Sequence, residues 1–344
     1  MKIERLARRN VSSLIAYSAK EIPCRVKLDA NESPFGFGTA LKAVEKIRTN
    51  RYPDPEAKRL IAVVARHLRV SQPNVLQGNG SDELIYYLIT TFGGPVLYPV
   101  PTFSMYGIIA QALGEERIEI PLNSEFDIDI GKTMAAVRRG RPKLIFLSRP
   151  NNPTGNCFSW ESIIKILEAS GGLVVVDEAY QPFSSLHGFL PMLRDYENLV
   201  IMRTLSKVGL AALRLGFLVA GREIIAEVNK VRLPFNVNAL SQAVAIQALK
   251  EKKAMKTFIR DITDERARLV GAMEKIRGVR PFPSEANFIL FKVDEAGKVY
   301  RELLKKGILV RNMHAAVAGC LRVTIGRRVE NDAFLRALTA VIPA

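Results

Sequence analysis

Three short apolar runs each end in residues able to do chemistry. The run LIFLS between Lys143 and Arg149 leads into Ser148-Arg149-Pro150-Asn151-Asn152-Pro153-Thr154-Gly155. LVVVD, between Gly172 and Glu178, ends in Asp177-Glu178-Ala179-Tyr180, and LVIMRT, between Asn198 and Leu205, ends in Thr204-Leu205-Ser206-Lys207. In an open parallel sheet, ligands bind outside the carboxyl ends of the strands. If these runs are parallel strands, an amide, a carboxylate, a phenol and an amine meet on one rim. Each has an ordinary alternative when taken singly: the NNPTG stretch is turn chemistry, Asp177 is a helix cap, and Lys207 is one lysine among many.

Upstream, Gln77-Gly78-Asn79-Gly80-Ser81-Asp82-Glu83-Leu84 places glycines ahead of an apolar helix. Free backbone N–H groups and the positive end of the helix dipole suit such a start to a phosphate. A plain N-terminus, with Ser81 capping and Asp82 and Glu83 complementing the dipole, reads the same segment equally well. An amine for a Schiff base, a carboxylate for a ring nitrogen and donors for a phosphate are together what pyridoxal phosphate requires.

The elements that would carry these residues are legible in the hydrophobic pattern. Runs apolar on every side fit strands buried on both faces, hence a parallel sheet covered by helices. A helix from about Trp160 to Ala169 has the length of a crossover between the first two runs. The fold class is therefore α/β: a large domain with a mostly parallel sheet flanked by helices, plus a smaller α+β domain. Residues 40–245 form the large domain in this reading, and residues 1–39 and 246–344 the N-terminal arm and small domain. In the latter, one long charged helix (Gln247 to Arg277) precedes the strand FILFKV between Asn287 and Asp294. A helix from Gly297 to Lys306, short strands at Ile308 to Asn312 and Leu321 to Arg327, and a helix from Glu330 to Val341 complete it.

In order along nearly the whole chain, a set of motifs resembles the histidinol-phosphate aminotransferase family of fold-type-I pyridoxal-phosphate enzymes. The motifs are KLDANESPFG (Lys27 to Gly36), RYPDP (Arg51 to Pro55), GNGSDEL (Gly78 to Leu84), PTFSMY (Pro101 to Tyr106), PNNPTG (Pro150 to Gly155), VDEAY (Val176 to Tyr180), TLSK (Thr204 to Lys207) and LRVTIG (Leu321 to Gly326). The resemblance implies pyridoxal 5'-phosphate as cofactor, with Lys207 as the Schiff-base lysine that later moves the substrate proton. It implies that Asp177 holds the ring nitrogen protonated, that Phe103 stacks on the ring, and that Asn152 and Tyr180 bond the ring hydroxyl oxygen. Ser81 with the neighbouring amides of Gly80 and Asp82, Ser206 and Arg214 would hold the phosphate, with Tyr52 reaching in from the partner of a homodimer. Arg322 would grip a substrate carboxylate, and Tyr17 and Arg311 match positions near the distal phosphate of the substrate. The run from Lys207 to Arg214 is one residue shorter than the family pattern, and Phe103 stands where a tyrosine is common.

The implied reaction is ping-pong transamination between histidinol phosphate and 2-oxoglutarate, giving imidazole-acetol phosphate and glutamate in histidine biosynthesis. A threonine-phosphate decarboxylase-like enzyme and a broad aromatic aminotransferase are the alternatives. Fifty Lys and Arg against 34 Asp and Glu leave +16, which permits a nucleic-acid partner or a pyridoxal-binding regulator. The charge is diffuse and adjoins no aromatic platform, so no nucleic acid is expected. Three scattered cysteines and three scattered histidines supply neither a disulfide framework nor a zinc site, and no metal is expected. No apolar stretch reaches the roughly 20 residues of a membrane span, and no signal-peptide core is visible. A cytoplasmic enzyme without a membrane partner is the expectation.

Overall fold

The computed structural model describes residues 6–16 and 21–342. Strand β1 (Val26–Leu28) belongs to the smaller of two sheets. The larger comprises β2 (Val75–Asn79), β3 (Val96–Val100), β4 (Arg117–Pro121), β5 (Leu144–Ser148), β6 (Leu173–Asp177), β7 (Leu199–Thr204) and β8 (Leu215–Ala220), in the order β2-β8-β7-β6-β5-β3-β4. The pairs β3–β4, β3–β5, β5–β6 and β6–β7 are parallel, while β8 runs antiparallel to both β2 and β7. The sheet is thus mostly parallel, and β5, β6 and β7 carry their carboxyl ends to one rim, as expected.

Every residue of β5 and β8 is buried. Side chains alternate between two apolar layers: Leu144, Phe146, Val175 and Met202 enter one, Ile145, Leu147, Val174 and Val176 the other. Because both faces are dry, these strands read as unbroken apolar runs.

The helices, in chain order, are α1 (Arg9–Ser12), α2 (Lys58–Leu68), α3 (Ser81–Phe92), α4 (Met105–Leu113), α5 (Ile130–Gly140), α6 (Trp160–Ala169), α7 (Arg222–Val231), α8 (Ala239–Ala248), α9 (Lys252–Met273), α10 (Ala296–Lys305) and α11 (Arg328–Val341). Residues of α3, α4 and α7 pack into the layer of Phe146, and those of α2, α5, α6 and α8 into the layer of Ile145. Helix α6 shows the energetics: ten residues are marginal as an isolated helix. Its buried Ile163, Ile166 and Leu167 each contribute about 1.5–3 kcal/mol on docking, which decides the matter.

The smaller sheet adds β9 (Val279–Pro281), β10 (Phe288–Val293), β11 (Ile308–Asn312) and β12 (Cys320–Thr324), in the order β1-β11-β12-β10-β9. Strand β1 joins it parallel to β11, so the N-terminal segment is structurally part of this unit. The single helix expected from Gln247 to Arg277 is instead two, α8 and α9, separated at Leu249 to Glu251. Helix α8 packs on the 3-10 helix Gly38–Lys46 and on α2, whereas α9 packs on β9, β10 and α11. One straight helix cannot face both cores. No glycine or proline marks the break, and Thr39 holds it from outside by donating to Glu251 Oε1 at 2.7 Å.

Candidate active site

The last residue of β6 follows the alternation of its strand. Val175 faces the layer of Phe146, so Asp177 faces the same way, toward Tyr106 on α4. There the Tyr106 hydroxyl donates to Asp177 Oδ2 at 2.6 Å, and the Ala179 N–H donates to Oδ1 at 3.0 Å. The carboxyl is 3% exposed. Burial raises its pKa to about 6, against the two donors that lower it, and the nearby charges of Asp82 and Glu178 add to the rise. Burial first, then Asp177, push the Tyr106 phenol well above its ordinary range, so it stays a donor. Tyr106 is itself stacked on Phe146, with ring centroids 4.8 Å apart. The neighbouring Glu178 is occupied elsewhere, accepting from Phe189 N–H and pairing with Arg203.

Lys207 follows β7 in a tight turn, Ser206–Leu210. The turn depends on Gly209, whose φ is +97° and whose added Cβ would lie 2.7 Å from the Phe35 carbonyl oxygen. The Lys207 amine sits 5.7 Å from the centroid of the Tyr180 ring.

Beside it lies a cradle of donors. Helix α3 begins at Ser81 after Gly80, which has φ +85°. A Cβ on Gly80 would come 2.7 Å from Arg214 Nη2. Arg214 donates through Nη1 to Ser206 Oγ at 3.3 Å and approaches Asp82 Oδ2 at 3.4 Å. The shorter run between Lys207 and Arg214 is accommodated by two tight turns and a left-handed Arg214 with φ +51°. The guanidinium still reaches the start of α3.

The smaller sheet closes the rim from the other side. Arg322 on β12 donates through Nη1 to Asn152 Oδ1 and through Nη2 to the Asp29 carbonyl oxygen at 2.9 Å. With its oxygen so engaged, Asn152 has its amide nitrogen left to donate. The preceding Asn151 is a loop anchor: fully buried, it donates to the Pro101 carbonyl and to Thr154. Tyr180 accepts at its hydroxyl from Asn31 Nδ2 at 3.0 Å and meets Phe288 edge-on at 5.1 Å. Phe103 lies edge-to-face on Tyr106, with centroids 5.6 Å apart. Arg311 on β11 is exposed and stands directly opposite Arg322 in the strand register.

The structure therefore brings together Gly80, Ser81, Asp82, Phe103, Asn152, Asp177, Tyr180, Ser206, Lys207, Arg214 and Arg322, with Arg311 beside the last. Tyr52 does not join them within the chain: it is 82% exposed and stacks on Phe235 at 4.5 Å. Tyr17 lies outside the described residues. Tyr106 and Asn31 were given no role on sequence, although both stand inside the quoted motifs. Neither type nor spacing distinguishes them; their partners are distant in the chain. Among the described residues, no group of three His, Cys, Asp or Glu side chains gathers to hold a metal ion.

The pattern of the family Aminotransferase class I and II matches residues 19–338. A histidinol-phosphate aminotransferase of Aquifex aeolicus (strain VF5) is 44% identical over 340 residues, covering 95% of this chain and 96% of its own. One from Caldanaerobacter subterraneus subsp. tengcongensis is 38% identical over 351 residues, covering 99% of both. Among solved structures, the histidinol-phosphate aminotransferase of Sinorhizobium meliloti in complex with pyridoxal-5'-phosphate superimposes with a TM-score of 0.87 at 26% identity. The match covers 97% of this chain and 96% of that one.

Proposed function

The chain belongs to the class I and II aminotransferase family, and from that membership we propose that it transfers the amino group of L-histidinol phosphate to 2-oxoglutarate. The products are imidazole-acetol phosphate and glutamate, a step of histidine biosynthesis. The observation that carries the reading is the convergence of an amine, a buried carboxylate and a guanidinium-lined helix start at the carboxyl ends of parallel strands. These residues fit pyridoxal 5'-phosphate: Lys207 offers the amine, Asp177 the anion for a ring nitrogen, and the start of α3 at Gly80, Ser81 and Asp82, with Ser206 and Arg214, the donors for a phosphate.

When bound, the cofactor supplies a carbonyl that takes up the substrate amine and a ring that accepts electrons from the substrate α-carbon. Everything else falls to the protein. Asp177, kept anionic at neutral pH, stabilises positive charge on the ring nitrogen. Lys207 would anchor the cofactor and, once displaced from it, move the proton at the substrate α-carbon. Asn152 and Tyr180 would donate to the ring oxygen, and Phe103 would cover the ring face. Arg322 takes the carboxylate of glutamate in a bidentate fork, a role lysine fills poorly. Arg311, beside it, would take the distal phosphate.

The stacked, exposed pair Tyr52 and Phe235, with Leu233 and Leu240 also exposed, supports a homodimer in which Tyr52 completes the partner's phosphate site. Residues 40–245 are then the cofactor-binding domain, with 1–39 and 246–344 as arm and small domain. No described helix is long and apolar enough to cross a membrane. The chemistry, on small soluble metabolites, fits a cytoplasmic enzyme.

Incubation with histidinol phosphate and 2-oxoglutarate, followed by assay for glutamate, tests the reading. Carbon dioxide from threonine phosphate, with no glutamate formed, would favour a decarboxylase instead.

A further inference from the structure

Asn31 stands where the N-terminal segment crosses from the small sheet to the rim. It is 1% exposed and left-handed, with φ +56°. Its N–H donates to Thr324 Oγ1 at 2.9 Å, and its carbonyl accepts from Asn287 Nδ2 at 3.0 Å. Its side-chain oxygen accepts from Thr324 Oγ1 at 3.2 Å, while its side-chain nitrogen donates to the Tyr180 hydroxyl at 3.0 Å. The amide orientation follows from this network. Reversing it would aim two donors at the buried Thr324 oxygen and take from the Thr324 proton its acceptor.

A hydroxyl that accepts from Asn31 must send its own proton elsewhere. The groups around Tyr180 do not take it: Arg322, which lies 5.1 Å above the adjoining Phe288 ring, is a donor, and Lys207, 5.7 Å from the Tyr180 ring centroid, is committed to the cofactor in this reading. Asp177 already accepts from Tyr106 and Ala179. We propose that Asn31 is a positioning residue that turns the Tyr180 proton toward the cofactor's ring oxygen, making Tyr180 an obligate donor there. The inference rests on the reading that Tyr180 borders that oxygen. It also gives the arm a specific task, since β1 and β12 together hold Asn31 in place.

The readout is the pH midpoint of the absorbance change of the bound cofactor in the holoenzyme. A donor on the ring oxygen stabilises its anionic form; without it, the oxygen shares the nearby imine proton more tightly and the midpoint rises. Tyr180→Phe should raise it by about one pH unit, the scale of one hydrogen bond to a charged group. Asn31→Asp keeps the shape and the left-handed backbone but presents only acceptors, drawing the Tyr180 proton inward. Its carboxylate charge also acts directly, and equally whether or not the tyrosine hydroxyl is present. The rise caused by Asn31→Asp should therefore be larger, by about one unit, with Tyr180 intact than in the Tyr180→Phe background.

Equal rises in the two backgrounds overturn the proposal. No shift from Tyr180→Phe alone overturns instead the placement of Tyr180, whatever Asn31 does. If Asn31→Asp does not fold, Asn31→Gly, which tolerates the backbone, carries the same cycle. Its smaller rise must also shrink in the Tyr180→Phe background, and an undiminished rise counts against Asn31 as the orienting group.

Discussion

Asp177 keeps a charge that its surroundings oppose. Its pKa is raised from 3.8 to about 6 by burial, so the cost is present above pH 6, where the folded protein carries the charge. It vanishes below about pH 4, where folded and unfolded forms are both neutral, and stability from this group falls as pH rises between. A shift of about two units corresponds to about 3 kcal/mol. Cofactor-free Asp177→Asn should thus exceed cofactor-free wild type in urea stability by up to about 3 kcal/mol at pH 8, with the gap closing near pH 4. A less stable variant at pH 8 would contradict this. Lys207→Ala should keep the fold and lose nearly all turnover; borohydride reduction of the wild type and peptide mapping must place the label on Lys207 alone. Arg311→Ala should lower kcat/KM for histidinol phosphate about tenfold to a hundredfold, the scale of charge-assisted hydrogen bonds. An unphosphorylated aromatic donor should be affected much less, and equal losses for both donors would remove Arg311 from the phosphate site.

Among the elements, the turn before α3 is the most exacting. Gly80→Ala puts a side chain at φ +85°, a backbone conformation that L residues rarely adopt, and brings its methyl to 2.7 Å from the Arg214 guanidinium. Both the start of α3 and Arg214 must shift, weakening cofactor binding about tenfold or more, the value of at least one charge-assisted hydrogen bond. Equilibrium dialysis of pyridoxal phosphate decides it, and unchanged affinity would separate Arg214 from the phosphate. How far such elements can be read from sequence depends on the reach of the forces that shape them. Strands β5, β6 and β7 were legible because two-sided burial writes itself as continuous apolar runs. The rim positions of Lys207, Asp177 and Asn152 were legible because Asp177 closes one of those runs and the other two follow theirs. The break between α8 and α9 was not: LKEKK has ordinary helix-forming residues, and only the divergence of two cores separates the helices. Tyr106 and Asn31 escaped for a related reason, since their partners lie 71 and 149 residues away in the chain. Type and local spacing carry no trace of such pairings.

For the whole molecule, the exposed Tyr52 sets a test of assembly. If it completes the partner's site, mixing inactive Tyr52→Ala and Lys207→Ala proteins should restore activity, because each heterodimer contains one intact site. No recovery after demonstrated subunit exchange would mean that the site is not shared. The +16 charge belongs to the same scale: capture of the phosphorylated donor should slow as salt screens the surface, most steeply below about 0.15 M. Finally, β1 pairs in parallel with β11, although the entire larger sheet is encoded between them. On the ribosome, the first strand of the small sheet emerges early and waits for a neighbour made near the end of synthesis. Its closure carries the entropy of a very long loop and belongs to the slow, late phase of folding. Until then β1 is an unpaired strand able to pair with another chain, so nascent protein, or protein truncated before β11, is where aggregation should begin.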